Sequence, residues 1–186
     1  MNDITTLRHR DHLGLALNEM GLVGAGVEIG VAYGENAEKI LEKWHGRHLY
    51  LVDPYVTQDW SKYTDQTNKI NFSEALEYAR QKLARFDGRK TFVRRMSTDA
   101  AKDFKDGELD FVYVDGNHDY AAVLADMDAW WPKIKSGGVM GGHDFYDTDT
   151  DDYRCGVESA VRRWTSEHDV ALIGPLDCTS WFVIKP

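Results

Sequence analysis

A chain of 186 residues, of which 42% are apolar, is long enough to close one α/β core and too short for two ordinary domains, so we expect a single domain over residues 1–186. The net charge of −9 argues against a nucleic-acid surface, which needs a basic stripe, and no apolar run reaches the length of a membrane span. Cys155 and Cys178 are isolated and suggest neither a zinc site nor a disulfide framework, and the amino terminus lacks a secretory pattern. We therefore expect a soluble, cytoplasmic protein that binds a small molecule rather than nucleic acid or a membrane; a homo-oligomer stays open.

Helical and strand patterns alternate along the chain. In order, they predict a helix over Leu7 to Met20 within residues 1–22, a strand over Val23 to Ile29, a helix over Ala37 to Trp44, a strand over Leu49 to Val52, a helix over Phe72 to Phe86, strands over Thr91 to Val93 and Asp110 to Val114, a helix over Ala121 to Ile134, a strand over Val139 to Gly142, a helix over Val157 to Trp164, and strands over Val170 to Ile173 and Ser180 to Ile184. The last two strands lie too close together for a helical crossover and must be antiparallel. This order predicts a doubly wound, seven-stranded α/β sheet that ends in a C-terminal antiparallel hairpin.

The segment 54–71 is polar and aromatic and has no clear period. It carries Trp60 and Tyr63, which could stack on a ring of a bound molecule. Long segments of this kind often cover sites, so we expect a mobile loop here.

The turn after the first strand is punctuated by Gly30 and Gly34 and preceded by the acid Glu28. The two glycines let the backbone bend sharply and approach a ligand. Asn36 stands where a helix N-cap is expected, and the exposed amides there suit a polar or anionic group. The spacing is not that of the dinucleotide fingerprint G-x-G-x-x-G. An ordinary strand-to-helix turn is the alternative interpretation.

A second acid, Asp53, ends the next strand, about twenty residues past the turn, where doubly wound folds place a carboxylate on a ribose. With Glu28, Gly30 and Gly34, this unit resembles the class I S-adenosylmethionine-dependent methyltransferases, whose first motif is an acid followed by Gly-x-x-x-Gly. The resemblance implies a Rossmann-like methyltransferase sheet that binds S-adenosylmethionine. It implies these cofactor-binding residues: Glu28, Gly30, Tyr33, Gly34 and Asn36 near the amino-acid part, Asp53 on the ribose, Met96 and Ser97 beside the adenine, and Asp115. Tyr33 could instead be a packing residue.

Two further strand ends carry acids and imidazoles. Asp115-Gly116-Asn117-His118 follows one strand, and His143-Asp144 follows the next. Two carboxylates and two imidazoles at one sheet edge are costly to desolvate unless a cation lies between them. The pattern therefore favours a divalent cation on Asp115 and Asp144, with nitrogen from His143 or His118. The alternative is that one acid caps a helix and the histidines are only hydrogen-bonded.

The same residues are similar to a narrower group, the small metal-dependent O-methyltransferases that include macrolide-sugar enzymes. That similarity implies metal ligation by Asp115, His143 and Asp144, with His118 as the general base in methylation of a small-molecule hydroxyl. His143 stands where that group commonly has aspartate. Imidazole suits manganese better than magnesium, so the metal's identity, magnesium or manganese, stays open.

Two other classes fit parts of the pattern. Gly116-Asn117-His118-Asp119 matches a short metallophosphoesterase signature, but the other motifs of that class are missing. A nicotinamide dehydrogenase or a non-catalytic adenosine-binding module shares the first turn, although the missing glycine and the closing hairpin disfavour a dehydrogenase. The methyl acceptor is not readable from the sequence: Tyr146 and Tyr153 could stack on a ring, and the acidic run from Asp147 to Asp152 could attract a cationic substrate or extra metal.

Overall fold

The computed structural model describes residues 4–7, 9–56, 70–150, 153–176 and 179–186. Its α-helices are α1 Leu13–Glu19, α2 Glu35–Lys43, α3 Phe72–Lys82, α4 Ser97–Ala100, α5 Tyr120–Trp130 and α6 Val157–Glu167. Its strands are β1 Ala25–Ile29, β2 His48–Val52, β3 Lys90–Val93, β4 Leu109–Val114, β5 Ile134–Gly142, β6 Asp147–Asp149, β7 Arg154–Gly156 and β8 Trp181–Ile184. No helix within these ranges is both long enough and apolar enough to cross a membrane.

Six strands form the main sheet in the order β3-β2-β1-β4-β5-β8. The first five are parallel, and β8 runs antiparallel to β5. This confirms the predicted doubly wound class and its antiparallel closing strand. The predicted sixth strand, Val170 to Ile173, is wrong as a strand, because among these residues only Ile173 forms an antiparallel bridge, with Phe182. Val170 instead donates its N–H to the carbonyl of Thr165 at the end of α6.

Helices cover both faces of the sheet. All residues of β1 and β4 are buried, as expected for central parallel strands, and this explains their nearly continuous apolar sequence. On one face, Trp44 packs edge-on against Phe111, with ring centroids 5.0 Å apart. On the other face, Trp131 and Trp164 make the same kind of contact at 5.0 Å. Both faces of the sheet are thus packed, and its carboxyl edge is left for a site.

Two element boundaries differ from the prediction for a clear physical reason. The amino-terminal helix begins only at Leu13, and the residues before it form 3-10 turns, one of which is Arg10–His12. The predicted helix over Ala121 to Ile134 ends earlier, at Trp130, and the Ser136-Gly137-Gly138 segment after it is part of β5, where Gly137 has φ +76° and the register with β4 shifts. The glycines therefore make a β-bulge rather than a helix end.

A small hairpin of β6 and β7 follows β5 and was not predicted. Two residues of the acidic run lie in it, and each has its own partner. Asp147 accepts a hydrogen bond from the amide of Ser159 at 3.1 Å, and Asp149 forms an ion pair with Arg154 at 2.9 Å. These contacts give both carboxylates structural roles. Several predictions fall outside the described residues: Trp60 and Tyr63 with positions 57–69 of the expected loop, Asp151 and Asp152 of the acidic run, and Cys178.

Candidate active site

The turn after β1 needs glycine at position 30 because another backbone segment of the protein passes close to it. Gly30 has φ +81°, and a Cβ there would lie 1.9 Å from the carbonyl oxygen of Asp115. Gly30 therefore allows β1 to pass the β4–α5 turn, which is a second reason for glycine besides the approach to a ligand that the sequence predicts. Gly34, with φ +79°, is the N-cap residue of α2. The turn thus fixes the position of Asp115 relative to β1.

Asn36 is not the helix cap that the sequence predicts. It lies inside α2, and its side-chain amide donates to Glu28 at 2.8 Å. Glu28 is 1% exposed, and burial raises its pKa to about 8, against the opposing effect of the Asn36 hydrogen bond. The second carboxylate oxygen of Glu28 has no hydrogen-bond partner among the described residues. A ligand donor that reached this oxygen would satisfy it.

Asp53 organises the same turn from β2. It is 5% exposed and accepts hydrogen bonds from the amides of Val31 at 3.1 Å, Ala32 at 3.0 Å and Tyr55 at 2.8 Å. Ala32 has φ +46°, a conformation that costs energy for a residue with a Cβ. Burial raises the pKa of Asp53, although the three amides act in the opposite direction. The carboxylate therefore stabilises a strained turn as well as bordering the cavity.

A cavity of about 250 Å³ lies at the carboxyl edge of the sheet. Of the predicted cofactor-binding residues, its walls include Gly30, Asp53, Met96, Ser97 and Asp115. Glu28, Tyr33, Gly34 and Asn36 are not among the described residues that form its walls. The Tyr33 ring packs edge-on against Tyr78, with centroids 5.8 Å apart, which favours the packing interpretation.

Beside this cavity, Asp115, His118 and Asp144 bring three potential metal-ligand atoms within 4.8 Å of one another. His118 Nε2 lies 3.2 Å from Asp144 and 3.7 Å from Asp115. His143, expected as a ligand, is not in this group; its Nδ1 lies 3.0 Å from the other oxygen of Asp144. The geometry therefore brings His118 rather than His143 between the two carboxylates.

Asp144 itself is held in an unusual state. Its φ is +53°, a left-handed conformation that aspartate tolerates better than most residues. Burial alone would raise the pKa of Asp144, but the hydrogen bond from His143 and the charges of His118, His143 and Arg10 lower it below its usual value. This carboxyl group is accordingly kept ionised near neutral pH.

Sequence reasoning missed two residues of this region. Arg10 donates to Asp115 at 3.2 Å across 105 positions of the chain, and no periodicity could have indicated that contact. Asp126 lies on α5, is 6% exposed and borders the cavity. The sequence did carry a signal for Asp126, because an acid stands there among the apolar residues of a predicted helix. The helix was predicted without assigning a role to that acid.

A parallel sheet of this order, with an antiparallel last strand and a cavity beside the glycine turn, is a Rossmann-like architecture, which binds its ligands at the carboxyl edge of the sheet. The chain belongs to the family described as Methyltransferase domain, which matches residues 27–145. The resemblance to class I S-adenosylmethionine-dependent methyltransferases is thereby confirmed.

Solved structures agree with this architecture. The chain is similar to an O-methyltransferase from Bacillus cereus, in complex with SAH, at 14% identity and a TM-score of 0.66, covering 95% of this chain and 80% of that one. It is also similar to a proposed caffeoyl-CoA O-methyltransferase from Staphylococcus aureus, at 13% identity and a TM-score of 0.69, covering 95% and 82%. The protein y4gI of Sinorhizobium fredii is 34% identical over 83 residues, which are 45% of this chain and only 8% of that protein.

Proposed function

We propose that this protein is an S-adenosylmethionine-dependent O-methyltransferase that acts on a hydroxyl group of a small molecule, such as a sugar or a natural product. One observation carries the proposal: Asp115 both borders the cavity and belongs to the Asp115–His118–Asp144 cluster. A methyl donor in the cavity would therefore present its sulfonium next to the groups that hold and deprotonate an acceptor hydroxyl.

The residues around the cavity suit an adenosine-containing cofactor. Met96 and Ser97 would flank the adenine, and Asp53, which already accepts three amides, would face the ribose. Gly30 and Asp115 would lie along the methionine part. Glu28 is 1% exposed and is not among the described residues of the cavity walls, so it would act through its hydrogen bond with Asn36 and the shape of the turn. Tyr33, Gly34 and Asn36 would act indirectly, by shaping the turn and holding Glu28.

The cluster also suits a divalent cation. Two carboxylates and an imidazole within 4.8 Å of one another form a mixed oxygen and nitrogen donor set, which favours manganese over magnesium. Asp115 and Asp144 would hold the ion, and either His118 or His143 could add nitrogen. When bound, a divalent cation lowers the pKa of a hydroxyl group that touches it. Without an ion, the guanidinium of Arg10 already balances part of the charge of Asp115.

His118 is placed to take the proton of the acceptor. As the oxygen–methyl bond forms and the methyl–sulfur bond breaks, the hydroxyl proton would move to Nε2, leaving a methyl ether and S-adenosylhomocysteine. The carboxylate of Asp144, 3.2 Å from Nε2, would stabilise the resulting imidazolium. Asp115 borders both the cavity and the cluster, so binding beside it would align the acceptor oxygen, the methyl carbon and the sulfur. This alignment would supply much of the remaining acceleration.

Calorimetric titration with S-adenosylhomocysteine, NAD and ATP side by side tests the cofactor. We expect saturable binding of S-adenosylhomocysteine and much weaker binding of the other two. Incubation with S-adenosylmethionine labelled on the methyl group and a panel of sugars and phenols then identifies an acceptor. Tight binding of NAD without binding of S-adenosylhomocysteine would favour the dehydrogenase class, and cofactor binding without transfer to any hydroxyl would favour a binding module.

Removal of metal is expected to abolish methyl transfer to that acceptor, and added manganese or magnesium should restore it. Asp144→Asn should weaken metal binding by at least about tenfold. Loss of a residue that only hydrogen-bonds a metal ligand already costs about that much, and loss of a ligand itself should cost no less. Asp149→Asn, on the exposed hairpin beyond β5, keeps an acceptor oxygen for Arg154; it is the matched control and should behave like the parent. Full turnover in excess chelator, with no metal detected in the protein, would show that the cluster works without a cation.

A further inference from the structure

We infer that Asp126 selects the nucleobase of the cofactor, by accepting a hydrogen bond from the 6-amino group of adenine. The inference rests on the proposed function, because it takes the cavity beside the glycine turn to be the cofactor site. Asp126 lies on α5, so this specificity-determining residue belongs neither to the glycine turn nor to the group of acids at the strand ends.

The position of Asp126 is the first support. The side chain is 6% exposed, yet it borders the cavity together with Met96, Ser97 and Thr98 from the start of α4. On its own helix, the neighbouring wall is made by the small apolar residues Ala122 and Ala125. An acid in this place brings a strong acceptor to a wall that is otherwise suited to a flat aromatic ring.

The hydrogen bonds around Asp126 are the second support. The indole N–H of Trp130 donates to Ser97 Oγ at 2.8 Å, which leaves the Ser97 hydroxyl proton to be donated in turn. Asp126 is hydrogen-bonded to that hydroxyl. A carboxylate has about four acceptor positions, so one hydroxyl leaves acceptor capacity for a donor in the cavity.

The cost of burying the Asp126 carboxyl group also supports the inference. Burial raises the pKa of Asp126 to about 6, and the Ser97 hydrogen bond only partly opposes that effect. A buried carboxyl group with incomplete hydrogen bonding is costly to the fold. A ligand N–H that reached the carboxylate would offset this cost, and the offset would exist only when the ligand is bound.

The chemistry of the bases explains why the selection would favour adenine. Adenine carries an N–H donor at position 6, whereas guanine and hypoxanthine carry a carbonyl oxygen there. A carboxylate attracts the former and repels the latter. Sites built to hydrogen-bond a ligand group reject analogues that lack it, because the protein group is left unpaired.

The test compares two ligands and three proteins by calorimetry. The ligands are S-adenosylhomocysteine and its analogue with hydrogen in place of the 6-amino group, which removes the donor without adding bulk. We expect the parent to prefer S-adenosylhomocysteine by about ten- to a hundredfold, the usual worth of a hydrogen bond to a charged group. Asp126→Leu, of similar shape, should reduce the preference to within about twofold. Asp128→Asn, on the exposed side of the same helix, keeps an acceptor oxygen for the indole N–H of Trp164 and should retain the preference.

Each outcome has a distinct meaning. Equal affinity of the parent for both ligands, or a preference that persists in Asp126→Leu, overturns the inference and leaves the proposed function intact. Failure of the folded parent to bind either ligand overturns the proposed function instead. If Asp126→Leu does not fold, Asp126→Ala replaces it, because alanine also lacks an acceptor: a lowered preference supports the inference, and an unchanged one overturns it.

Discussion

Replacing His118 by alanine is expected to lower methyl transfer by roughly two to four orders of magnitude, the usual contribution of a positioned general base. Its Nε2 lies 3.2 Å from Asp144 and 3.7 Å from Asp115, so it can reach an acceptor oxygen held between these carboxylates. The imidazole is not among the described residues that form the cavity walls, and affinity for S-adenosylhomocysteine should therefore stay nearly unchanged. Turnover and calorimetry on the same preparations measure both effects.

The pH profile and the metal content distinguish a base from a ligand or a structural residue. A base must be unprotonated to act, so the rate of the parent should fall in acid, and this acidic limb should be missing in His118→Ala. His168→Ala is the matched control, because that ring stacks on Trp164 away from the site. A loss of metal affinity, with the rate per metal-loaded molecule preserved, would make His118 a ligand and would leave the base to be found elsewhere.

Gly30→Val is expected to remove cofactor binding by disrupting the fold around the site. The left-handed φ of +81° is unfavourable for valine, and a Cβ would lie 1.9 Å from the carbonyl oxygen of Asp115. Conformational strain and overpacking together should cost roughly 2–5 kcal/mol of stability. Because Asp115 belongs to both the cavity and the cluster, affinities for S-adenosylhomocysteine and for metal should fall together. Chemical denaturation and the two titrations measure these losses.

Gly88→Val separates the two causes. Gly88 has φ +89°, but no described atom outside its immediate neighbours lies within 4 Å of the Cβ position. This variant should show the conformational cost alone, about 1–2 kcal/mol, with unchanged ligand binding. If Gly30→Val kept the stability of Gly88→Val yet lost only cofactor binding, the glycine would serve to leave space for the ligand, as the sequence first suggested.

Much of the fold could be predicted because each element depends on local patterns. Burial on both faces demands the apolar runs seen in β1 and β4, and these runs are visible without a structure. The strand over Val170 to Ile173 failed because a short apolar run does not reveal whether its amides will find a neighbouring strand. Val170 uses its amide on α6 instead.

The sequence by itself determined that Asp53, Asp115 and Asp144 would meet at one edge, since the carboxyl ends of parallel strands share that edge. Only the tertiary structure decided what each group contacts there. In the structure, Asn36 donates to Glu28, and His118 rather than His143 lies between the two carboxylates. Arg10 contacts Asp115, and Asp126 borders the cavity. The physical reason is that periodicity assigns a residue to an element and a face, whereas side-chain partners across a hundred positions depend on how whole elements pack.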